Sequence, residues 1–207
     1  MASVVPIHHK RMTLQQRREQ IVRDAMALFA RHGFAGTTTQ EIARHAGISE
    51  ALLFRVFKDK KSLYSAIIDH KIAETGEELF PHEAASQERD EEVFGTVGCV
   101  LMRAMERDPS FVRLLLYSGL ERHQLAEMFY EARIAKLFSF LERYIKKRIR
   151  RKAFRPVRAD LIARAFVGMV SNHMLNREIL GCGKSIQVDG REAVNAFVDL
   201  TLRGLRR

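Results

Sequence analysis

Apolar residues along this 207-residue chain recur at intervals of three and four rather than two, the spacing of one buried helix face. Leu14, Ile21, Ala25, Leu28 and Phe29 predict a first helix with Arg17, Arg18 and Arg23 between them. Gly33 predicts its end as a C′ residue. Thr37 or Thr38 predicts the cap of a short second helix through about Ala43, with Glu41 completing a capping box. Ser49 predicts the cap of a third helix, and Asp59 that of a fourth running to about Leu79 before Pro81. The stretch 82–91 reads as a polar connection, and 90–107 as helix. Asp108-Pro109 then restarts the chain as N-cap and N1, and Gly119 ends that short helix. Residues 121–151 predict one long helix broken by Pro156. Residues 158–179 and 190–206 predict two more, separated by the loop GCGKSIQVDG. The expected result is an all-α fold of about nine helices, with residues 1–12 as a flexible basic arm.

Gly47 interrupts this pattern where a helix-interior glycine would cost roughly 1 kcal/mol against alanine. Ile42, Ala46, Ile48, Leu53 and Val56 lie at spacings that let two short helices share one core. Gly47 then marks a sharp turn that wants positive φ, small Ala43 admits a close crossing, and Ser49 caps the next helix at once. This is the layout of a helix-turn-helix, whose second helix can enter a DNA major groove.

Charge sharpens that reading. The net charge is +10 and the pI about 10.0, a balance that suits nucleic acid or an anionic membrane surface. Residues 1–71 carry 12 Lys+Arg against 6 Asp+Glu, leaving 23 against 19 for the rest. The excess is therefore densest around the expected helix-turn-helix. Lys58, Lys60 and Lys61 follow its second helix, where phosphates would run. Two cysteines, Cys99 and Cys182, make neither a disulfide framework nor a four-ligand zinc site. No apolar run approaches the roughly 20 residues of a bilayer span, and the expected location is the cytoplasm.

The stretch from Arg18 to Ile67 resembles the DNA-binding domain of the TetR family of transcriptional regulators. The resemblance rests on "ALFARHGF", "TT" before the second helix, "IA…AGIS", an aromatic at 54, "F-x-x-K" at 57–60 and Leu63. It implies a DNA-binding domain over residues 13–60 and a ligand-binding and dimerisation domain over 61–207. It implies that Thr38 and Thr39 meet phosphate, that Gln40 reaches the groove, and that Ser49, Glu50, Ala51, Leu52 and Arg55 lie on or near the recognition face. Phe54 takes the aromatic position, Lys60 that of a phosphate-binding lysine, and Lys58 lies beside it. Three departures stand out. Phe54 lacks the hydroxyl of the usual tyrosine, Leu52 replaces a frequent hydroxyl residue, and Glu50 puts an acid near the groove. Leu52 can touch a thymine methyl. Glu50 can accept from cytosine N4 or simply favour the helix N-terminus.

Beyond residue 70 the signals are architectural. Large soft side chains suggest room for a small apolar effector lined by Phe94, Met102, Phe111, Tyr117, Met128, Phe166, Met169, Asn172 and His173. Plain core packing is the alternative for each. The resemblance implies a homodimer through helices near 158–179 and 190–206. Leu161, Ala165, Phe166, Met169, Val170, Val194, Phe197, Val198, Leu202 and Leu205 face inward or toward the partner, and Gly168 permits close approach. The run 144–158 holds eight Lys/Arg and no acid, either a solvated helix end or an accessory contact to an acidic surface. "GCGKS" at 181–185 mimics the end of a phosphate-binding loop, but Glu178 stands where its first glycine belongs and a helix precedes it. His8 and His9 are at best a weak metal site. No catalytic constellation, cofactor motif or metal spacing is present. The expectation is a sequence-specific regulator of a palindromic operator in double-stranded DNA, released by ligand and acting as a dimeric repressor. A nonspecific DNA-coating or helical interaction protein is the alternative.

Overall fold

The computed structural model describes residues 12–182 and 187–207. The expected arm, with Pro6, His8 and His9, and most of the phosphate-loop mimic lie outside those residues. Helices α1 (Leu14–His32), α2 (Thr39–His45), α3 (Glu50–Val56) and α4 (Lys60–Thr75) form the N-terminal half. They are followed by α5 (His82–Ser86), α6 (Asp90–Arg107), α7 (Pro109–Leu120), α8 (Gln124–Phe129), α9 (Ala135–Arg150), α10 (Ala159–Met174) and α11 (Gly190–Leu205). Among the described residues the sole β pairing is an isolated bridge between Phe154 and Arg206, so the fold is all-α.

Side-chain caps set most of the early boundaries. Thr13, Thr38 and Asp59 each form a reciprocal capping box, with Gln16, Glu41 and Ser62. Thr38 rather than Thr37 caps α2, because Thr37 is buried and its hydroxyl donates to the Gly33 carbonyl at 2.8 Å. Three expectations need correction. Helix α4 ends at Thr75, since Gly76 turns to φ +51° and only a single 3₁₀ turn carries the chain through Leu79. The polar stretch after Pro81 contains a short helix, α5, which is the addition to the nine expected. The long helix begins at Gln124 instead of 121, because Arg122 takes φ +51° in a turn and the His123 side chain caps α8. It then runs through a π turn at Tyr130–Ile134 into α9.

Two apolar cores organise the packing. One gathers Ile21, Phe29, Ile42, Leu53, Phe57, Leu63 and Ile67 with Phe111, Leu114 and Leu125 from α7 and α8. The other gathers Val93, Phe94, Leu137, Leu141, Phe166, Val194 and Leu202 from α6, α9, α10 and α11. Helix α7 packs against α1, so the helix-turn-helix is braced by the rest of the chain rather than tethered to it.

Two of the eight cations in the basic run 144–158, Lys147 and Arg148, are partly buried and engaged in packing, and the other six are exposed. Arg148 donates to both oxygens of buried Asp90, at 2.9 and 3.0 Å, and also pairs with Glu88. Tyr144 donates to Asp90 at 2.5 Å, and Lys147 pairs with Glu88. Burial and the Asp90 carboxylate both hold the Tyr144 hydroxyl well above the usual phenol range. The run therefore anchors the α5–α6 connection onto α9.

Candidate nucleic-acid interface

Helices α2 and α3 are joined by the turn that the glycine foretold. The Gly47 N–H donates to the Arg44 carbonyl at 3.2 Å and the Ile48 N–H to the Ala43 carbonyl at 2.9 Å. These two bonds make a Schellman motif, with Gly47 at φ +64°. A Cβ added at Gly47 would meet nothing within 4 Å. The backbone angle alone selects glycine here. The Ser49 hydroxyl caps α3 by accepting from the Leu52 N–H at 3.2 Å.

Helix α1 grips this pair from behind. The Gln20 amide donates to the Ala46 carbonyl at 3.2 Å, and Arg18 donates to the Val56 carbonyl at 3.4 Å. The Arg18 guanidinium also lies 4.4 Å from the centroid of buried Phe57, a favourable cation–π arrangement. With Leu53 and Phe57 turned into the core, Glu50, Ala51, Phe54, Arg55 and Lys58 are left exposed. The i, i+3, i+4 spacing of Glu50, Ala51, Phe54 and Arg55 puts those four on one outward face of α3, and Lys58 follows its end. Phe54 is 47% exposed, which no core role explains. Thr38, Gln40 and Ser49 are exposed as well, and Leu52 is half-buried.

Three of the expected contact residues are engaged within the chain. The Thr39 hydroxyl donates to the Glu50 carboxylate at 2.5 Å. Glu50 thus joins the N-termini of α2 and α3, an arrangement both helix dipoles favour. Lys60 Nζ donates to the Thr37 carbonyl at 3.1 Å, which fixes its ammonium beside the start of α2.

The turn between α7 and α8 holds the same region from the other side. The Glu121 carboxylate accepts from the Phe34 and Ala35 N–H groups at 3.0 and 3.3 Å. Gly33, at φ +69°, leaves the space: a Cβ there would lie 2.2 Å from Glu121 Oε1. The His123 ring stacks on Phe34 at 3.9 Å between centroids and meets Tyr64 edge-on at 4.6 Å. Burial, and to a lesser degree Lys60, depress His123 below the ordinary histidine value while Glu121 opposes them. Burial, aided by Glu121, pushes Tyr64 up to about 12. Nothing in the spacing of Glu121 or His123 announced these contacts, which join residues nearly ninety positions apart.

A cavity of about 500 Å³ opens between α4, α6, α7, α8, α10 and the π turn. Of the nine residues expected to line a ligand site, the structure brings only Phe111 to it. Phe94, Met102 and Phe166 are sealed in the second core, where Phe94 and Phe166 meet edge-on at 5.0 Å. Met169 packs against that core, Met128 packs against the first, and Tyr117 is 37% exposed. The Asn172 side chain accepts from Asn176, and His173 meets Phe197 edge-on at 5.9 Å. Helical periodicity marks such side chains as inward-facing without separating packed core from cavity wall. Lys71, Glu74, Arg133 and Arg164 at the cavity carry no sequence signal for it, and Asp108 was legible only as a helix cap. Among the described residues no group of three or more His, Cys, Asp or Glu is placed to hold a metal, and no helix is long and apolar enough to cross a membrane.

Comparison with known proteins agrees with this layout. Residues 21–67 match the family described as bacterial regulatory proteins, tetR family, and residues 99–204, just over half of the chain, match the AefR-like transcriptional repressor C-terminal domain. The nucleoid occlusion factor SlmA of Haemophilus influenzae is 28% identical over 139 residues, which span 64% of this chain and 60% of that relative. The match thus takes in less than two thirds of SlmA's length. A TetR transcriptional regulator from Chloroflexus aurantiacus superposes with a TM-score of 0.70 at 23% identity, covering 93% of this chain and 98% of that one. The regulator AibR, solved in complex with isovaleryl coenzyme A and operator DNA, gives a TM-score of 0.68 at 21% identity, covering 89% and 97%. These last two show a shared fold. A helix-turn-helix braced on α1, in front of a helical domain that matches the repressor model, makes this chain a member of the TetR family of DNA-binding transcriptional regulators.

Proposed function

We propose that the chain is a dimeric repressor of a palindromic operator, released from DNA by a small effector. The observation that carries this reading is the outward face of α3. Phe54 and Arg55 project from a helix whose opposite face is locked into a core, and exposed Lys58 follows just after its end. In the proposed complex α3 lies in the major groove, Phe54 and Ala51 meet base edges or thymine methyls, and Arg55 reads a base or phosphate. Thr38, Gln40, Ser49, Lys58 and Lys60 meet the backbone, while Thr39 and Glu50 hold α2 against α3. Leu52, half-buried, supports the face from behind.

The division proposed is a head of residues 13–60 and a body of 61–207, joined through α4. The second copy docks on α10 and α11. Leu161 is 53% exposed and Leu200 62% exposed, whereas Phe166, Val170, Val194, Val198, Leu202 and Leu205 are buried within the chain. Ala165 and Gly168, also exposed, extend the Leu161 stripe. Pairing these faces about a two-fold axis sets two heads side by side. Half-sites about one helical turn apart, roughly 34–36 Å, follow from that symmetry. The effector occupies the cavity beside α4 and α7, and AibR, a regulator of the same fold solved with both isovaleryl coenzyme A and operator DNA, is in keeping with a small-molecule ligand for this fold.

The test is selection of bound fragments from random duplex DNA, followed by gel shifts against excess unrelated competitor. Enrichment of an inverted repeat supports the proposal. Recovery of unrelated sequences with no shared motif refutes it and favours a coating protein.

A further inference from the structure

Most of the cavity wall is hydrocarbon, from Leu101, Met105, Phe111 and Val167 among others. Yet two cations stand in it almost fully buried, Lys71 at 7% and Arg133 at 5% exposure. A buried ammonium is tolerated only when paired. Lys71 Nζ lies 2.8 Å from a Glu74 oxygen and 2.6 Å from an Asp108 oxygen, and 5.6 Å from the Phe111 ring centroid. Arg133 donates to the Gly76 carbonyl and lies 4.8 Å from the Phe80 ring centroid.

The charged residues of the lining are Lys71, Arg133 and Arg164 against Glu74 and Asp108, an excess of one positive charge. The N-terminus of the 12-residue helix α7 begins at the next residue, Pro109, and adds the positive end of its dipole to the same corner. Resting on the reading of this cavity as the effector site, we infer that its ligand is a singly charged anionic amphiphile, a hydrocarbon body ending in a carboxylate that replaces Asp108 at Lys71. Glu74 sits three residues from Lys71 on α4 and moves with it. Asp108 comes from the start of α7, so it is the partner that a new carboxylate separates from α4. An amine would face two buried cations, and an alcohol supplies no charge to take Asp108's place. A polyanion brings more charge than the lining balances.

The experiment is calorimetric titration of the full chain with decanoate, 1-decanol and decylamine. Parent, Lys71→Met, Asp108→Asn and a cavity-filling Val167→Trp variant are compared, with operator gel shifts run alongside. Decanoate binds the parent at least about tenfold more tightly than the alcohol or the amine, the least expected for a charge-assisted pair. Lys71→Met removes that preference. Asp108→Asn, which keeps a capping side chain on α7, removes the competing carboxylate and binds decanoate more tightly than the parent. A role for Asp108 that is only structural predicts the opposite sign. Equal binding of all three compounds, no binding of decanoate, or weaker decanoate binding by Asp108→Asn overturns the inference. The effector-site reading is judged separately. If any of the compounds releases DNA from the parent and from Val167→Trp alike, the cavity is not the effector site. If release is lost in Val167→Trp without preference for the acid, the cavity stands and the anionic ligand falls.

Discussion

Replacing Gly47 by alanine isolates one backbone angle. A non-glycine residue in the left-handed region costs about 1–2 kcal/mol. No clash adds to that, because the new Cβ has nothing within 4 Å. Loss of unfolded-state freedom offsets a fraction of the cost, about 0.4–1 kcal/mol. The net destabilisation expected for Gly47→Ala is therefore about 1 kcal/mol. Gly47→Asn is expected to lose less, since asparagine tolerates this region better than other non-glycine residues. Urea unfolding measures both: the midpoint falls while the slope against denaturant stays fixed. Operator affinity falls with it, because the bonds from Gly47 and Ile48 to Arg44 and Ala43 set the angle between α2 and α3. Parent-like stability of Gly47→Ala would show that the angle is not held. An asparagine variant weaker than the alanine one would show that side-chain space, not φ, is what glycine supplies.

Further outcomes follow from the same geometry. Lys60→Ala weakens binding to every DNA sequence and lowers the salt slope by about one; unchanged slope and affinity in a salt titration would assign Lys60 to the Thr37 carbonyl alone. Leu161→Glu with Leu200→Glu shifts the proposed dimer to monomer in sedimentation while the melting curve of the chain stays cooperative; a parent that already sediments as a monomer, or a double variant that sediments as the parent does, would refute the proposed interface. Glu121→Ala removes the acceptor of two head-loop N–H groups and reduces effector-induced DNA release more than it reduces operator affinity, read by gel shift with and without effector. His123 is neutral in the fold at a pH where the unfolded chain is already protonated, since burial lowers its value below 6.5. Its contribution is thus complete above pH 6.5 and is lost as pH falls through the window below it. The stability gap between parent and His123→Gln narrows on acidification, and a gap independent of pH would deny His123 that role.

Local signals were legible in the sequence where one residue type answers one backbone demand. Gly33, Gly47, Ser49, Asp59 and Asp108-Pro109 each foretold a helix boundary that the structure contains. The outward face of α3 was legible for the same reason, because Leu53 and Phe57 leave only one side free. The cavity was not. Phe94, Phe111 and Phe166 carry the same apolar periodicity, and only the crossing of distant helices leaves Phe111 beside a void and the others sealed. Nothing in the spacing separates Lys71 from a surface lysine on a helix, because its partner Asp108 lies 37 residues on. The basic run 144–158 left a solvated helix end and an accessory contact both open, because the acids that engage Lys147 and Arg148, Glu88 and Asp90, arrive from another helix and the loop before it.

The two cores bear on how an effector could act at a distance. Phe111, Leu114 and Leu125 belong to the same apolar cluster as Ile42 and Leu53 of the helix-turn-helix, and α7 and α8 also wall the cavity. Helix α4 contributes Leu63 and Ile67 to that cluster and Lys71 to the cavity. The head is thus packed on three elements that wall the proposed effector cavity, and two of them, α4 and α7, are tied to each other by the Lys71–Asp108 pair. Effector coupling of about 1–3 kcal/mol is typical of allosteric proteins. One hydrogen bond to a charged group is worth about 1.5–3 kcal/mol, so exchanging a single partly buried pair between α4 and α7 is of the right size. No unfolding or large rearrangement is required. A few degrees of rotation of α4 against α7 would part Glu121 from the Phe34 and Ala35 N–H groups as well, and two symmetric heads displaced in this way no longer fit successive major grooves at one spacing.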